Sequence, residues 1–334
     1  MARSELEPAQ REEIEDLWER LRRAPDPDYE RFKGVDPAHI EHGMVGPDHF
    51  GEFPADGHVV LEAHGTLSGP EFFENLNARL ERSPRDFRPY AIDTAAFAPT
   101  VDDYAEELER SYRALQAADG TESFSVVAHS LGGVGALKWL HEYDRYDEVE
   151  MFIPVGSPFH GSAAADLASK VDERIDAIEL WWKSATLFNP FVSSRRVEEF
   201  FRHYRLGELT DDFVTRRSAE EGALAELMDE TTITEAADVY TVRSSIDRFY
   251  IDPKKTLSRG LEHLAALSSW ENRIDSPEIP GAEANFVLPS STHHEIMTGD
   301  MAVEYIARAL EGYREEPGRG LVERESSENG QPAD

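Results

Sequence analysis

The hydrophobic pattern along the chain alternates between short apolar runs and longer segments with helical periodicity. Apolar runs of this length predict buried strands, and the periodic segments between them predict helices. The predicted strands cover residues 58–65, 88–92, 123–128, 148–155, 238–242 and 284–288. The predicted helices of the alternating part cover residues 70–79, 101–117, 131–143 and 301–313. Strands that alternate with helices pair in parallel through right-handed crossovers, so the pattern predicts a three-layer α/β domain with a mostly parallel sheet.

One interruption of this alternation divides the chain into segments. Residues 1–55 are polar, contain Pro and Gly, and are predicted to form an N-terminal extension. Residues 56–159 and 236–313 carry the alternating core. Residues 160–235 show helical patterns without a strand, which predicts a helical cap inserted into the core. Residues 314–334 are rich in Glu, Ser, Gly and Pro, a composition that predicts a disordered acidic tail.

The composition limits the classes of protein that remain. The 334 residues include 34 Lys plus Arg and 67 Asp plus Glu, for a formal net charge of −33. Such a charge repels phosphates, which argues against a nucleic-acid partner and against anionic membrane surfaces. Cys is absent, which excludes disulfides, a Cys nucleophile and thiolate metal sites. With 40% hydrophobic residues the chain can still build a packed core.

The kind of charge is also unusual, because only six of the 34 basic residues are Lys. An acidic surface with little Lys resembles proteins from organisms that keep molar salt in the cytoplasm. Salt at about 1 M shortens the Debye length to about 3 Å and screens the self-repulsion of the folded chain. The composition therefore predicts a haloarchaeal protein that loses structure in low salt. An ordinary acidic cytosolic protein is the alternative.

No targeting segment is visible in the sequence. The first eight residues are charged, and no apolar run follows the Arg pair at 22–23. No stretch approaches the ~20 apolar residues of a transmembrane helix. We therefore expect a cytoplasmic protein.

A candidate nucleophile lies where a predicted strand turns directly into a helix. The segment at 128–133 reads Ala-His-Ser-Leu-Gly-Gly, with small residues two positions on either side of Ser130. Such a turn lifts its central side chain above the carboxyl edge of the sheet and strains its backbone. Ser130 is therefore a candidate nucleophile, while His129 and His64 are expected to pack beside the site.

Three further segments follow predicted strands in the same way. Thr66 follows the strand that ends at residue 65, and its backbone N–H with that of Leu131 can form an oxyanion hole. Asp247 and His293 each follow a later strand. Serine, acid and histidine thus occur in the order Ser130, Asp247, His293. Since the carboxyl ends of parallel strands share one edge, we expect these side chains to meet there.

These segments resemble the α/β-hydrolase superfamily, and within it the bacterial and archaeal lipase and esterase group. The resemblance covers roughly residues 56–160 and 236–313. Ala128 stands where most hydrolases have Gly, a change that the lipase branch tolerates. The matching motifs are the Ala-His-Ser-x-Gly-Gly segment at 128–133, the His-Gly pair at 64–65, Gly-Ser-Pro at 156–158, Ser-Ser-Ile-Asp at 244–247 and His-His-Glu-Ile-Met at 293–297.

The resemblance implies a serine carboxylic ester hydrolase, an esterase or lipase, that acts on an apolar small-molecule ester or lipid. Ser130 would be the nucleophile, His293 the general base and Asp247 the residue that orients the imidazole. No cofactor is implied. A thioesterase or acyltransferase would use the same three side chains. A non-catalytic binding protein on the same fold is the alternative from a different class.

Some site assignments stay open at the level of the sequence. His294 competes with His293 as the base, and Asp252 competes with Asp247 as the acid; the family spacing favours His293 and Asp247. Three loop histidines have spacings that a metal ion can use but no carboxylate framework, so no metal is predicted. They are His39, His42 and His49.

The predicted cap contains the most apolar stretch outside the sheet, at residues 178–192. Trp181, Trp182 and Phe188 lie within it and are candidates for binding an acyl chain. The stretch can pack on the core, line an acyl pocket as a lid, or do both.

Overall fold

The computed structural model of the chain covers most of the predicted core. It describes residues 32, 35–65, 69–93, 101–161, 216–244, 279, 281–288, 293, 295–316 and 320–323. Most of the predicted cap falls outside these residues, and with it the candidate acyl-binding residues Trp181, Trp182 and Phe188.

Eight strands of the described residues form one mixed sheet. They are β1 (Ile40–Glu41), β2 (Met44–Val45), β3 (His58–Ala63), β4 (Phe87–Ile92), β5 (Phe124–His129), β6 (Val149–Val155), β7 (Asp238–Ser244) and β8 (Ala284–Leu288). Their order across the sheet is β1-β2-β4-β3-β5-β6-β7-β8. The pairings of β1 with β2 and of β2 with β4 are antiparallel, and all the others are parallel. The predicted α/β architecture with a mostly parallel sheet is confirmed.

The central strands are apolar because helices cover both faces of the sheet. Every residue of β5 is buried, and in β3 only His58 is partly exposed. Strands buried on both faces read as continuous apolar runs, which is the signal that the sequence carries at these positions. β3 and β5 are neighbours, so the residues that follow them come close together at one edge of the sheet.

The described residues form α-helices of 4 to 19 residues. They are α1 (Pro47–Phe50), α2 (Glu74–Leu80), α3 (Val101–Asp119), α4 (Leu131–Glu142), α5 (Arg216–Glu221), α6 (Ala223–Glu230), α7 (Ile233–Ala236), α8 (Glu295–Thr298) and α9 (Asp300–Leu310). None of the helices in the described part of the chain has the length and apolarity that a membrane crossing requires.

Two apolar clusters, one on each face of the sheet, produce the three layers. In the first, Tyr104 of α3 and Leu137 of α4 share a buried cluster with Leu61 of β3. In the second, Leu76 of α2 and Ile306 of α9 share a buried cluster with other sheet residues. Because side chains alternate along a strand, β3 supplies Leu61 to one cluster and Val60 to the other.

Polar contacts tie α2 to the C-terminal helices. Asn75 Nδ2 donates to the carbonyl oxygen of Thr298 in α8 at 2.9 Å. Arg79 donates to Glu304 of α9 at 2.8 Å and to Glu311 at 2.9 Å. These bonds fix the helices that follow the sheet edge where β8 ends.

A buried carboxyl group lies on β3, facing α2. Asn77 Nδ2 donates to Glu62 Oε2 at 3.0 Å, and both side chains are fully buried. Glu62 Oε1 and Asn77 Oδ1 have no hydrogen-bond partner. Burial raises the pKa of Glu62 well above its usual value. A protonated Glu62 has a hydroxyl that can donate a hydrogen bond to Asn77 Oδ1. An ionised Glu62 has no proton to donate, so Asn77 Oδ1 and one carboxylate oxygen both stay without a hydrogen bond.

We expect Glu62→Gln to stabilise the protein at pH 8 by about 2 kcal/mol and to leave stability near pH 4 unchanged. The folded-state pKa of Glu62 is raised, so its favourable contribution is complete below the unfolded pKa of 4.5 and is lost as pH rises toward the folded pKa. Glutamine keeps the shape and stays neutral. Guanidinium unfolding at both pH values measures the change. Glu74→Gln, the same substitution at an exposed position, is the control, and equal pH profiles for the two variants would contradict the prediction.

The described residues include strands in two segments for which the sequence predicts none. β1 and β2 lie within the predicted N-terminal extension and add an antiparallel edge to the sheet. β9 (Tyr313–Glu316) and β10 (Gly320–Glu323) pair as an antiparallel hairpin where the predicted acidic tail begins. The segment boundaries and the disorder of the remaining tail stay predictions.

Candidate active site

Ser130 occupies a strained turn between β5 and α4. Its backbone has φ 54° and ψ −126°, a region that costs a side-chain-bearing residue about 1–3 kcal/mol. The surrounding backbone holds the turn, because Ser130 N–H donates to Val155 O at 2.8 Å and Gly133 N–H donates to Ser130 O at 3.0 Å. The predicted strand-to-helix turn is thus present with Ser130 at its centre.

The Ser130 side chain does not cap its own helix. Ser130 stands at the N-cap of α4, where serine commonly accepts from the first-turn N–H groups. Its hydroxyl makes no capping bond here. The first N–H groups of a helix have no partner within the helix, and they lie at the positive end of its dipole. The N–H of Leu131 is therefore suited to bind a developing negative charge beside Ser130.

His293 lies beside Ser130, although the two residues are 163 positions apart in the sequence. Its Nε2 lies 2.8 Å from Ser130 Oγ, and the residue is 4% exposed. Gly156, with φ 59°, makes room for the ring, because a Cβ there would lie 3.2 Å from His293 Cε1 and 2.3 Å from Ile296 Cδ1. With its proton on Nδ1, the imidazole accepts from the serine hydroxyl through Nε2. This is the geometry that a general base needs.

Gly65 brings the segment after β3 against the same turn. A Cβ at Gly65 would lie 2.6 Å from Ser130 Cβ and 2.9 Å from His129 Nδ1. Only a residue without a side chain allows this approach. The backbone that follows β3 is thus adjacent to Ser130, which is what an oxyanion hole formed by this segment requires.

His64 makes contacts that hold the segment after β3 in place. It is fully buried, and its Nδ1 lies 2.8 Å from Gly65 O. Tyr104 donates to the His64 carbonyl oxygen, and His64 Nε2 lies 3.9 Å from Asp93 Oδ1. A carbonyl only accepts, so Nδ1 carries a proton. Burial lowers the pKa of His64 to about 4, which keeps the ring neutral at pH 7.

We expect His64 to contribute to acid denaturation, and His64→Gln to weaken the pH dependence of stability. The folded pKa of about 4 lies below the unfolded value of 6.5, so the unfolded chain binds more protons between these pH values. The contribution of His64 to the free energy of unfolding is then fully present above pH 6.5. It falls as the pH decreases toward 4, by up to about 1.4 kcal/mol per pH unit. Guanidinium unfolding from pH 7 to pH 4 measures the slope. Equal slopes for wild type and His64→Gln would contradict this assignment.

The structure brings together two of the predicted catalytic side chains, Ser130 and His293, with Leu131 beside them. Thr66 and Asp247 lie outside the described residues, as do the competing residues His294 and Asp252. The assignment of Ser130, His293 and Asp247 as a catalytic triad therefore stays a prediction.

His39, His42 and His49 are not grouped around a metal site in the described part of the chain, and His49 lies in α1 and not in a loop. The rings of His39 and His49 lie 5.9 Å apart, and His42 packs against Tyr90. Among the described residues no group of three or more His, Asp or Glu side chains is arranged to hold a metal ion.

Contacts of His129 are the part of the site that sequence reasoning missed. His129 was expected to be a packed neighbour, and it is 3% exposed. It also bonds the backbone of His293 across 164 positions of the chain. No local sequence signal reports such a long-range contact.

The sheet order and the strained turn at Ser130 define the α/β-hydrolase fold. The mature lipase BlEst2 of Bacillus licheniformis has a similar structure, with a TM-score of 0.53 and 15% sequence identity over 81% of this chain and 98% of the lipase. This similarity establishes the fold.

Two carboxylesterases are also found among the similar structures. One is from the thaumarchaeon Nitrososphaera gargenis, with a TM-score of 0.43 and 15% identity over 78% of this chain and 91% of that protein. The other is CesB of Bacillus subtilis, with a TM-score of 0.41 and 15% identity over 80% of this chain and 86% of that protein. No family model and no curated protein sequence matches the chain.

Proposed function

We propose that this protein is a serine hydrolase that cleaves carboxylic esters of apolar acyl groups. The observation that carries the proposal is the 2.8 Å contact between His293 Nε2 and Ser130 Oγ, made at a backbone-strained turn. Strain of this kind persists only where surrounding structure maintains it, and it gathers at functional sites. The Bacillus licheniformis protein with the same fold is a lipase, which agrees with this chemistry.

In the first half-reaction, Ser130 Oγ attacks the ester carbonyl carbon while His293 Nε2 takes the hydroxyl proton. The carbonyl oxygen becomes an oxyanion, which accepts hydrogen bonds from the N–H groups of Leu131 and Thr66. Collapse of this intermediate breaks the bond to the alcohol oxygen, and His293 returns the proton to that leaving group. The acyl group remains on Ser130.

In the second half-reaction, His293 takes a proton from water, which attacks the acyl carbonyl carbon. The carboxylic acid leaves and Ser130 regains its proton from His293. We assign Asp247 the role of holding the imidazole with its proton on Nδ1, from its position after β7 in the sequence. This carboxylate would also stabilise the imidazolium that forms in each half-reaction.

The apolar acyl preference rests on the sequence of the cap. Trp181, Trp182 and Phe188 are proposed to line the acyl pocket, because they belong to the most apolar stretch outside the sheet. A thioester donor or an alcohol acceptor in place of water would use the same steps. Thioesterase and acyltransferase activities are therefore the second candidate.

A substrate panel tests the proposal and separates these activities. Purified protein in molar KCl, chosen because of the charge of −33, is assayed with p-nitrophenyl esters of increasing acyl length and with acyl-CoA, following free thiol. We expect ester cleavage that exceeds thioester cleavage and disappears in Ser130→Ala. Faster thiol release would favour the thioesterase. Inertness of the folded protein across the panel would support the non-catalytic alternative.

A further inference from the structure

The ring of His129, at the end of β5, contacts two other rings. Its ring centroid is 4.7 Å from that of His293, with the planes 38° apart. Its centroid is also 5.4 Å from that of the Phe72 ring, with the planes 34° apart. The place where a Cβ of Gly65 would stand is 2.9 Å from His129 Nδ1. Neighbours on several sides thus restrict the orientation of this imidazole.

A hydrogen bond joins the same ring to the backbone of the proposed base. His129 Nε2 lies 3.0 Å from the carbonyl oxygen of His293, and both residues are buried. A carbonyl oxygen only accepts, so His129 Nε2 carries a proton and donates. His129 therefore holds the His293 backbone by a hydrogen bond and packs against its side chain by ring contact.

The position of His293 makes this restraint relevant to catalysis. His293 lies between the end of β8 and the start of α8, outside both elements. Side chains on connecting segments need restraint from elsewhere, since no regular backbone pattern fixes them. A general base must stay within hydrogen-bond reach of its proton donor, and a displacement of about 1 Å costs about 10²-fold in rate.

We propose that His129 is a positioning residue that keeps His293 Nε2 within reach of Ser130 Oγ, through its Nε2–H bond to the His293 carbonyl. This proposal rests on the proposed hydrolase function. It assigns His129 a role through His293 and no contact with substrate. Ser130 and its neighbour in sequence thus both bind His293, one at the imidazole and the other at the backbone.

Two substitutions separate the hydrogen bond from the ring contact. His129→Phe keeps an aromatic ring and removes the donor, while His129→Gln keeps an N–H donor at a similar distance from the backbone and removes the ring. We expect His129→Phe to lower kcat for a p-nitrophenyl ester by ~10–10²-fold with KM changed less than about threefold. We expect His129→Gln to recover most of that loss. His141→Phe, the same change at a histidine in the last turn of α4 and away from Ser130, is the control, with kcat within about threefold of wild type.

The outcomes distinguish this proposal from the function on which it rests. Inactivity of wild type overturns both. An active wild type with an equally active, folded His129→Phe variant overturns the positioning role alone. Equal losses in His129→Phe and His129→Gln also overturn it, because the donor would then have no separate effect. Circular dichroism and thermal unfolding show whether each variant is folded.

The position of the proton on the His129 ring can also be measured in the wild-type protein. Long-range ¹H–¹⁵N spectra of histidine-labelled protein report which ring nitrogen carries the proton, and the His129 signals are those missing from a 129 variant. We expect the proton of His129 on Nε2. A proton on Nδ1 alone would remove the hydrogen bond to His293 and overturn the proposal.

Discussion

Ser130→Ala is expected to lower kcat for ester hydrolysis by ~10⁴–10⁶-fold while the protein remains folded. The hydroxyl is the proposed nucleophile, and alanine cannot form the acyl-enzyme. The Ser130 hydroxyl makes no capping bond to α4, so its removal takes no hydrogen bond from the helix. Steady-state kinetics with a p-nitrophenyl ester, together with circular dichroism in molar KCl, measure both effects.

His293→Ala is expected to cause a loss of similar size, and the double variant should be no slower than either single variant. The two side chains act as one unit through the 2.8 Å contact, so removing the second adds little once the first is gone. Full additivity of the two losses would mean that Ser130 and His293 act independently. That result would contradict the proposed mechanism, as would a Ser130→Ala variant of wild-type rate.

Gly132→Ala is expected to destabilise the protein by about 3 kcal/mol and to lower kcat by about 10²-fold. A Cβ at Gly132 would lie 2.5 Å from both Ala63 O and His64 O. Both contacts are with backbone atoms, which cannot rotate away as a side chain can. The start of α4 must then move from the end of β3, and the Ser130 turn moves with it. Chemical denaturation and ester kinetics measure the two losses.

Gly120→Ala is the matched control for this substitution. Gly120 has φ 73°, and a Cβ there would meet nothing within 4 Å. The variant therefore incurs only the cost of a side chain in the left-handed region, about 1–2 kcal/mol, at a position remote from the proposed site. We expect its kcat to equal that of wild type. A Gly132→Ala variant that matches Gly120→Ala in both stability and kcat would show that α4 and β3 are not in the close contact described.

The central sheet could be predicted from the sequence because strands that are buried on both faces consist of consecutive apolar residues. β3, β5 and β6 read as apolar runs, and each lies within a residue or two of its predicted position. β1 and β2 could not be found in this way. They have two residues each, so neither can show an alternating pattern, and they lie in a polar segment with glycines. Their place in the sheet depends on the pairing of β2 with β4, which is a tertiary contact, and on the pairing of β1 with β2.

The candidate site was predictable to the extent that it depends on local turns and chain order. Small residues around Ser130 indicated the turn, and the order of strands indicated the shared edge. The approach of Gly65 to Ser130 depends on the adjacency of β3 and β5. The bond from His129 to the His293 carbonyl involves a backbone acceptor, which any residue at 293 would supply. The residue type at position 293 therefore gives no indication of this contact, which only the three-dimensional structure shows.

Labelling with a fluorophosphonate in molar KCl, followed by peptide mass mapping, is the most direct measurement of the nucleophile. The reagent reacts much faster with a serine hydroxyl that an adjacent base activates than with other hydroxyls. We expect one modified residue, Ser130, with no labelling of Ser130→Ala and slow labelling of His293→Ala. Modification of a different residue, or labelling that persists in Ser130→Ala, would contradict the assignment of Ser130 as the catalytic nucleophile.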